Sequence, residues 1–313
     1  MIRIRKKSPS NQTLEHLFLN IFQESPRFPN FICDFLHSFF PKDKKIWNEN
    51  YSAIDGNNVL CEVAISPQNR KSARWHIDRL SISQCADEVI IKTIKYVMHE
   101  YGGDGVQTFI TFVDDKMPPL KNLFKKGCDF MECARIEIWY SPETPSNNDY
   151  ALKIFKEYNQ DYLEQIVELY NEMIFPQYRQ YLKITKENFK DKIKKSKMLR
   201  VLYDEANSKI EGYFLIFEKN EKYYLELLLS ESCGSYYTEI VDYCTNYFEK
   251  FDILVKTYFS PSRHLKDALM KKQLGKKESY AILIKDYWAP EKQEDKQVVD
   301  ITGLQMSANS LDG

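Results

Sequence analysis

Two stretches concentrate proton-transferring side chains on segments that read as strands. In Arg74-Trp75-His76-Ile77-Asp78-Arg79-Leu80-Ser81-Ile82, period-2 alternation puts His76 and Asp78 on one face. An imidazole and a carboxylate are the common acid–base pair of catalysis. Polar groups in a central strand are costly to bury unless paired, so a hydrogen-bond or ion-pair cluster with Arg74 and Arg79 competes with that reading. In Tyr223-Tyr224-Leu225-Glu226-Leu227-Leu228, Tyr224 and Glu226 share a face, followed by apolar Leu228. Glu226 is the better base by type, and a partly exposed sheet edge is the alternative. A third stretch, Leu229-Ser230-Glu231-Ser232-Cys233-Gly234-Ser235-Tyr236, is hydroxyl-rich and precedes a helical pattern. It reads equally as a serine-rich N-cap and as an anion-holding helix start.

The elements that must position these residues follow from periodicity. In the second half, Ala151–Tyr158 alternates as a strand and Asp161–Ile174 has apolar residues at helical spacing. Thr185 opens a helix running to Lys197. Met198–Tyr203, Ile210–Glu218 and Tyr223–Ser230 then form an antiparallel meander. Tyr237–Phe251 is a helix, Ile253–Phe259 a strand, Ser262–Leu274 a helix with Gly275 at its C′ position, and Ser279–Tyr287 the last strand. Phe175, Tyr178 and Tyr181, with Pro176, sit between the first two helices, as core packing or as the lining of a pocket. The first half repeats the order. Met1–Arg5 is a strand, and Thr13–Glu24 and Pro29–Phe40 are helices. Strands follow at Tyr51–Ile54, Val59–Ile65 and Ala73–Ile82, then the helix Asp87–Tyr101. The strand Val106–Val113, the helix Pro118–Lys126 closed by Gly127, and the strand Cys133–Tyr140 complete it. Gly102-Gly103-Asp104-Gly105 is a helix end and turn. The expected division is a first domain at residues 1–142, a linker at 143–150 around two prolines, a second domain at 151–289, and a polar tail at 290–313 that is disordered or partner-bound.

Composition removes several classes. With 10 glycines in 313 residues, neither Gly-x-Gly-x-x-Gly nor Gly-x-x-x-x-Gly-Lys-Ser/Thr occurs. Lys+Arg 44 against Asp+Glu 45 leaves a net charge of −1, not the positive field of a nucleic-acid binder. The basic run Lys190–Lys197 reads as a solvated helix face. Seven cysteines form no Cys-x-x-Cys pair and five histidines no His-x-x-x-His spacing, so no metal is expected. Unpaired thiols, the lack of a signal peptide and the lack of a long apolar stretch point to a cytoplasmic protein with no membrane span.

The order β-α-α-β-β-β-α-β-α-β, carried twice over residues 1–140 and 151–287, resembles the GNAT superfamily of N-acetyltransferases. The resemblance implies an α/β (α+β) fold: two tandem GNAT-like domains, each a mixed, mostly antiparallel twisted sheet flanked by helices. It also implies a CoA thioester, acetyl or longer, lying where the fourth and fifth strands splay, with its pyrophosphate at the following helix. The family motif there is Gln/Arg-x-x-Gly-x-Gly/Ala. Here the segment is Glu231-Ser232-Cys233-Gly234-Ser235-Tyr236, retaining one glycine, whereas Ser83-Gln84-Cys85-Ala86-Asp87-Glu88 in the first half has none. The resemblance therefore places cofactor contacts at Leu229, Ser230, Ser232, Cys233, Gly234, Ser235 and Tyr236, with Lys271 as a phosphate or thiolate partner. It makes His76, Asp78, Tyr224 and Glu226 the candidates for general-base catalysis. Phe124 and Lys271 stand near the family's proton-donating Tyr, and His264 near its Asn. The implied reaction is direct N-acylation of an amine in a ternary complex, the acceptor being a small amine, a lysine or ornithine side chain, or a peptide N-terminus. Two other outcomes stand beside it: a non-catalytic scaffold derived from the fold, and a fatty-acyl transferase for a peptide natural-product precursor.

Overall fold

The computed structural model describes residues 2–6, 49–67, 73–83, 85–140, 155–219, 222–247 and 251–287. The helices expected at Thr13–Glu24 and Pro29–Phe40, the linker and the tail lie outside the described residues. The first half contains β1 (Ile2–Lys6), β2 (Glu49–Asp55), β3 (Asn58–Pro67), β4 (Arg74–Ile82), α1 (Asp87–Gly102), β5 (Thr108–Asp114), α2 (Pro118–Asn122) and β6 (Met131–Tyr140). The second contains β7 (Phe155–Glu157), α3 (Leu163–Met173), α4 (Pro176–Leu182), α5 (Lys186–Lys195), β8 (Met198–Asp204), β9 (Lys209–Lys219) and β10 (Lys222–Leu229). It ends with α6 (Tyr236–Tyr247), β11 (Phe251–Lys256), α7 (Ser262–Lys271) and β12 (Gly275–Asp286). The short helix α4, begun by Pro176, covers the stretch read from sequence as an aromatic connection.

The twelve strands of the described residues join one sheet in the order β1-β2-β3-β4-β5-β12-β6-β11-β10-β9-β8-β7. The two halves therefore do more than lie side by side, because their last strands are exchanged. β12 inserts between β5 and β6, antiparallel to both, and β6 pairs with β11. The parallel pairs are β4–β5 and β10–β11. β5 and β11 are buried along their whole length, as expected for strands covered on both faces.

Alternation along β12 and β6 assigns the helices to faces. Tyr280, Ile282 and Ile284 of β12, and Ala134, Ile136 and Ile138 of β6, enter one core with α3, α4 and α5. Ala281 and Leu283 enter a core with α1 and α2, and Trp139 enters one with α6 and α7. Among the described residues, α3, α4 and α5 thus lie on one face, and the pairs α1/α2 and α6/α7 on the other. The periodicity is visible in α1, which buries Ile90, Ile94, Val97, Met98 and Tyr101. α5 begins with a reciprocal cap in which the Thr185 hydroxyl accepts from the Asn188 N–H and the Asn188 amide accepts from the Thr185 N–H.

Gly127 and Gly275 do not serve as left-handed helix ends. That conformation falls on Asp129 (φ 58°) and Gln273 (φ 57°). Gly275 instead opens β12, where a Cβ would lie 3.1 Å from the Tyr140 ring. A Cβ at Gly127 would overlap Ile91 at 2.6 Å. Close approach, not backbone freedom, keeps these two glycines.

Candidate functional site

Each half contains a fork where its one parallel pair diverges. β4 and β5 pair over Arg74–Thr108, Trp75–Phe109 and His76–Ile110, then separate. β10 and β11 pair from Tyr223–Phe251 to Glu226–Leu254, then separate. His76 and Glu226 are therefore the last paired residues of equivalent strands. Two of the residues picked from sequence occupy the same place in the two forks.

The second fork encloses a charged cluster. Glu226 is 1% exposed, which overturns the reading of it as a partly exposed edge. Its carboxylate binds Lys192 of α5 through Oε1 and Lys256 of β11 through Oε2, the latter at 2.8 Å. The Tyr213 hydroxyl donates to Oε1 at 2.9 Å. Lys192 and Lys256 also lie over the Tyr170 ring, 5.3 and 5.4 Å from its centre. The Tyr170 and Tyr258 hydroxyls are 3.0 Å apart and complete the group. The basic run 190–197 is thus not wholly a solvated face: Lys192, 2% exposed, points inward beside Phe189. Helical spacing carried that signal, since Asn188, Phe189 and Lys192 fall on one side of the helix. Lys256 was not singled out from sequence, where its one signal is a cation closing a largely apolar strand. Tyr224 shares the Glu226 face and packs, half-buried, on the same core.

Charge sets the behaviour of this cluster. Burial alone would raise the Glu226 carboxyl, but the ammonium groups of Lys192 and Lys256 outweigh it and hold its pKa at about 2. Burial lowers Lys192 to about 7, with Lys256 adding repulsion against the attraction of Glu226. Burial also opposes the charged form of Lys256, yet Glu226 prevails and raises it. Burial raises Tyr170, Tyr213 and Tyr258, which stay protonated.

Among the described residues, the position of Lys256 in the first fork is taken by Phe112, an uncharged ring. His76 stacks on it, centres 6.2 Å apart. Asp78 accepts from the buried Ser66 hydroxyl at 2.6 Å. The β3–β4 register skips Asp78, passing from Ala64–Arg79 to Ile65–Ile77, so a bulge lies at the fork. The Thr111 hydroxyl donates to the Ile77 carbonyl at 3.1 Å. β9–β10 runs in register without a bulge. Ser66 and Thr111 were not singled out from sequence, where nothing separates them from other strand hydroxyls. Arg74 turns toward the second half and donates to the Tyr181 carbonyl of α4 at 2.7 Å.

The loop following β10 gathers Ser230, Ser232, Cys233, Gly234, Ser235 and Tyr236 at the start of α6. Cys233 and Gly234 N–H groups close turns onto Ser230 and Glu231, and helix geometry leaves the Tyr236 N–H outside the intrahelical ladder. The Ser230 and Ser232 hydroxyls are 2.8 Å apart. A Cβ on Gly234 would meet the His264 ring at 3.1 Å, so His264 of α7 does reach the loop. His264 also holds the Glu231 carboxylate at 3.3 Å. These small, hydroxyl-bearing residues at a helix start suit a pyrophosphate, with Glu231 drawn toward α7. Lys271 is exposed, seven residues along α7 from His264, which is roughly 10 Å of helix. Leu229 is fully buried, and its N–H donates to the Tyr237 hydroxyl at 3.0 Å. The first-half loop is shorter, with Ala86 as an N-cap that makes no side-chain bond and Asp87 and Glu88 in the first turn of α1. Among the described residues no group of three or more His, Cys, Asp or Glu could hold a metal, and no helix is long and apolar enough to cross a membrane.

No family model matches the sequence, and no curated protein matches it. Solved structures do resemble the fold. A tandem GNAT protein from the clavulanic acid biosynthesis pathway, solved without AcCoA, is 8% identical. The match covers 93% of this chain and 100% of that one, with a TM-score of 0.54. A GCN5-related N-acetyltransferase from Sphaerobacter thermophilus is 10% identical over 93% of this chain and 97% of its own, also at 0.54. The chain has the tandem GNAT fold, as the order of its elements predicted.

Proposed function

We propose that this chain transfers an acyl group from a CoA thioester to an amine, and that the second half is the transferring one. The observation that carries the reading is the second fork: a buried Lys192–Glu226–Lys256 cluster at its narrow end and the Gly234 loop beyond its wide end. The loop and the start of α6 would hold the pyrophosphate, by backbone N–H groups and the Ser230 and Ser232 hydroxyls. The amine would attack the thioester carbonyl in the gap between β10 and β11. The tandem GNAT likeness supports the fold of such an enzyme. The acyl group is acetyl or longer, and the acceptor is a small amine, a lysine or ornithine side chain, or a peptide N-terminus.

One contact favours a second reading, a binding or scaffolding protein without catalysis. The Tyr237 hydroxyl already occupies the backbone of Leu229, at the edge that the fork leaves for a ligand. Calorimetry with acetyl-CoA and a long-chain acyl-CoA separates the two. The transferase reading expects saturable binding that Gly234→Asp abolishes and Ala86→Asp, the matching change in the first half, leaves intact. Absence of binding by either thioester leaves the scaffold.

A further inference from the structure

The sheet begins at β1, and among the described residues no strand lies beyond it. The opposite edge, β7, has three residues, whereas β1 has five, Ile2-Arg3-Ile4-Arg5-Lys6. An edge strand leaves a row of backbone N–H and C=O groups open to another strand. Period-2 alternation divides its side chains. Ile2 and Ile4 are half-buried on the core beneath α1, and Arg3 and Arg5 are exposed on the opposite face. Each face of the strand borders a cleft. On the α1 side, Ile2, Ile4 and Val89 line one of about 240 Å³, with Glu88 and Lys92 beside them. On the other side, Arg3 and Arg5 line one of about 760 Å³ with Ile54, Asp55 and Val59. Neither guanidinium has a hydrogen-bond or ion-pair partner among the described residues, whereas Lys6 is paired with Glu49. Asp55, the acid in that cleft, stands opposite Ile2, at the far end of the strand from Arg5. Cations on an edge strand can serve simply to repel other strands. A guard of that kind needs no clefts, and here there is space for incoming side chains on both faces.

We propose that β1 takes an extended segment of another protein as an added strand, one in which apolar residues alternate with Asp or Glu. The apolar side chains enter the cleft beside Ile2 and Ile4, and the carboxylates meet Arg3 and Arg5 on the other face. Backbone pairing along β1 supplies affinity, and the side-chain clefts supply selectivity. The alternation also fixes the register, because a slip of one residue would carry carboxylates into the apolar cleft. Charge decides against a second copy of this chain as the occupant. Two β1 strands that kept their isoleucines on one face would set guanidinium opposite guanidinium, and like charges directly opposite are destabilising.

The experiment uses the full chain and two fluorescent octapeptides, one alternating valine with aspartate and one alternating valine with lysine, followed by anisotropy. The aspartate peptide should bind saturably and more weakly as salt is raised, and the lysine peptide should not bind. On binding, hydrogen exchange should slow at the amides of Ile2–Lys6. Arg3→Glu combined with Arg5→Glu should weaken the aspartate peptide about 10-fold or more and make the lysine peptide bind in its place. That change of partner is a gain which a misfolded variant would not show. Failure of the native chain to bind the aspartate peptide overturns the proposal. Binding that the two charge reversals leave unchanged, or that protects amides elsewhere than β1, overturns it equally. A native chain that sediments as a dimer, and as a monomer after the reversals, would assign the edge to a second copy and overturn the proposed partner. Binding that appears only after removal of residues 290–313 would assign the edge to the chain's own tail, with the same consequence.

Discussion

The two forks share one backbone plan and are filled by different chemistry. At the last paired residue the first has His76 and the second Glu226. Two residues further on the neighbouring strand, the first has Phe112 and the second Lys256. The first carries a bulge at Asp78 and a Thr111 hydroxyl on the Ile77 carbonyl. The second has an unbroken register and an apolar Val255. Among the described residues, hydroxyl hydrogen bonds and ring stacking mark the first fork, and ion pairs mark the second. A duplicated scaffold fixes where a side chain projects, and each copy then settles its own electrostatics.

Removing the central polar side chain in each fork tests this contrast most severely. Glu226→Leu strands two buried ammonium groups and should cost about 3–5 kcal/mol in urea unfolding. His76→Leu should cost about 1–3 kcal/mol, for the loss of a buried polar ring stacked on Phe112. Equal costs would mean that charge is not what distinguishes the forks.

The pH dependence is the next largest effect. Lys192 titrates near 7 when folded and at 10.5 when unfolded, so between those values the unfolded chain binds more protons. Stability should therefore rise with pH across that window, and the rise should vanish in Lys192→Met. Glu226, held near 2 against an ordinary 4.5, gives stability that is complete above 4.5 and is lost as the pH falls toward 2. Lys256 gives stability that is complete below 10.5 and declines only above it. Thermal unfolding followed across pH 5–10 in the native and Met chains reads the Lys192 window directly.

Thr111→Val removes one buried hydrogen bond in the first fork and should cost about 1–2 kcal/mol. Val255→Thr offers the second fork the same hydroxyl and should not recover that amount, because its Glu226 and lysines already fill the gap. The smallest effect concerns Tyr237→Phe. It frees the Leu229 backbone at a cost of about 1 kcal/mol in stability, and should tighten acyl-CoA binding several-fold by calorimetry if the tyrosine stands in the ligand's place.

The order of elements was legible because period-2 and helical spacing are local properties. The position of Glu226 was legible for the same reason, as was the Thr185 start of α5. α4 escaped because its seven residues make just under two helical turns, too few for a clear apolar period. Lys192 escaped because a run of lysines hides the single one that turns inward. The pairing of β12 with β5 and β6 has no signature in any one segment. It is a property of strands more than 130 residues apart, and either half could have closed on itself by pattern alone.

That exchange gives the chain a particular order of assembly. β5 and β6 are made early, yet the strand that lies between them is the last of the sheet to be synthesised. Until β12 arrives, both would present open edges, the kind of surface that pairs with strangers. Closing them needs contacts of very long sequence separation, and such folds form slowly. A nascent or truncated chain lacking β12 would therefore have neither half complete. The two halves of the sheet can therefore be completed only together, once β12 has been made.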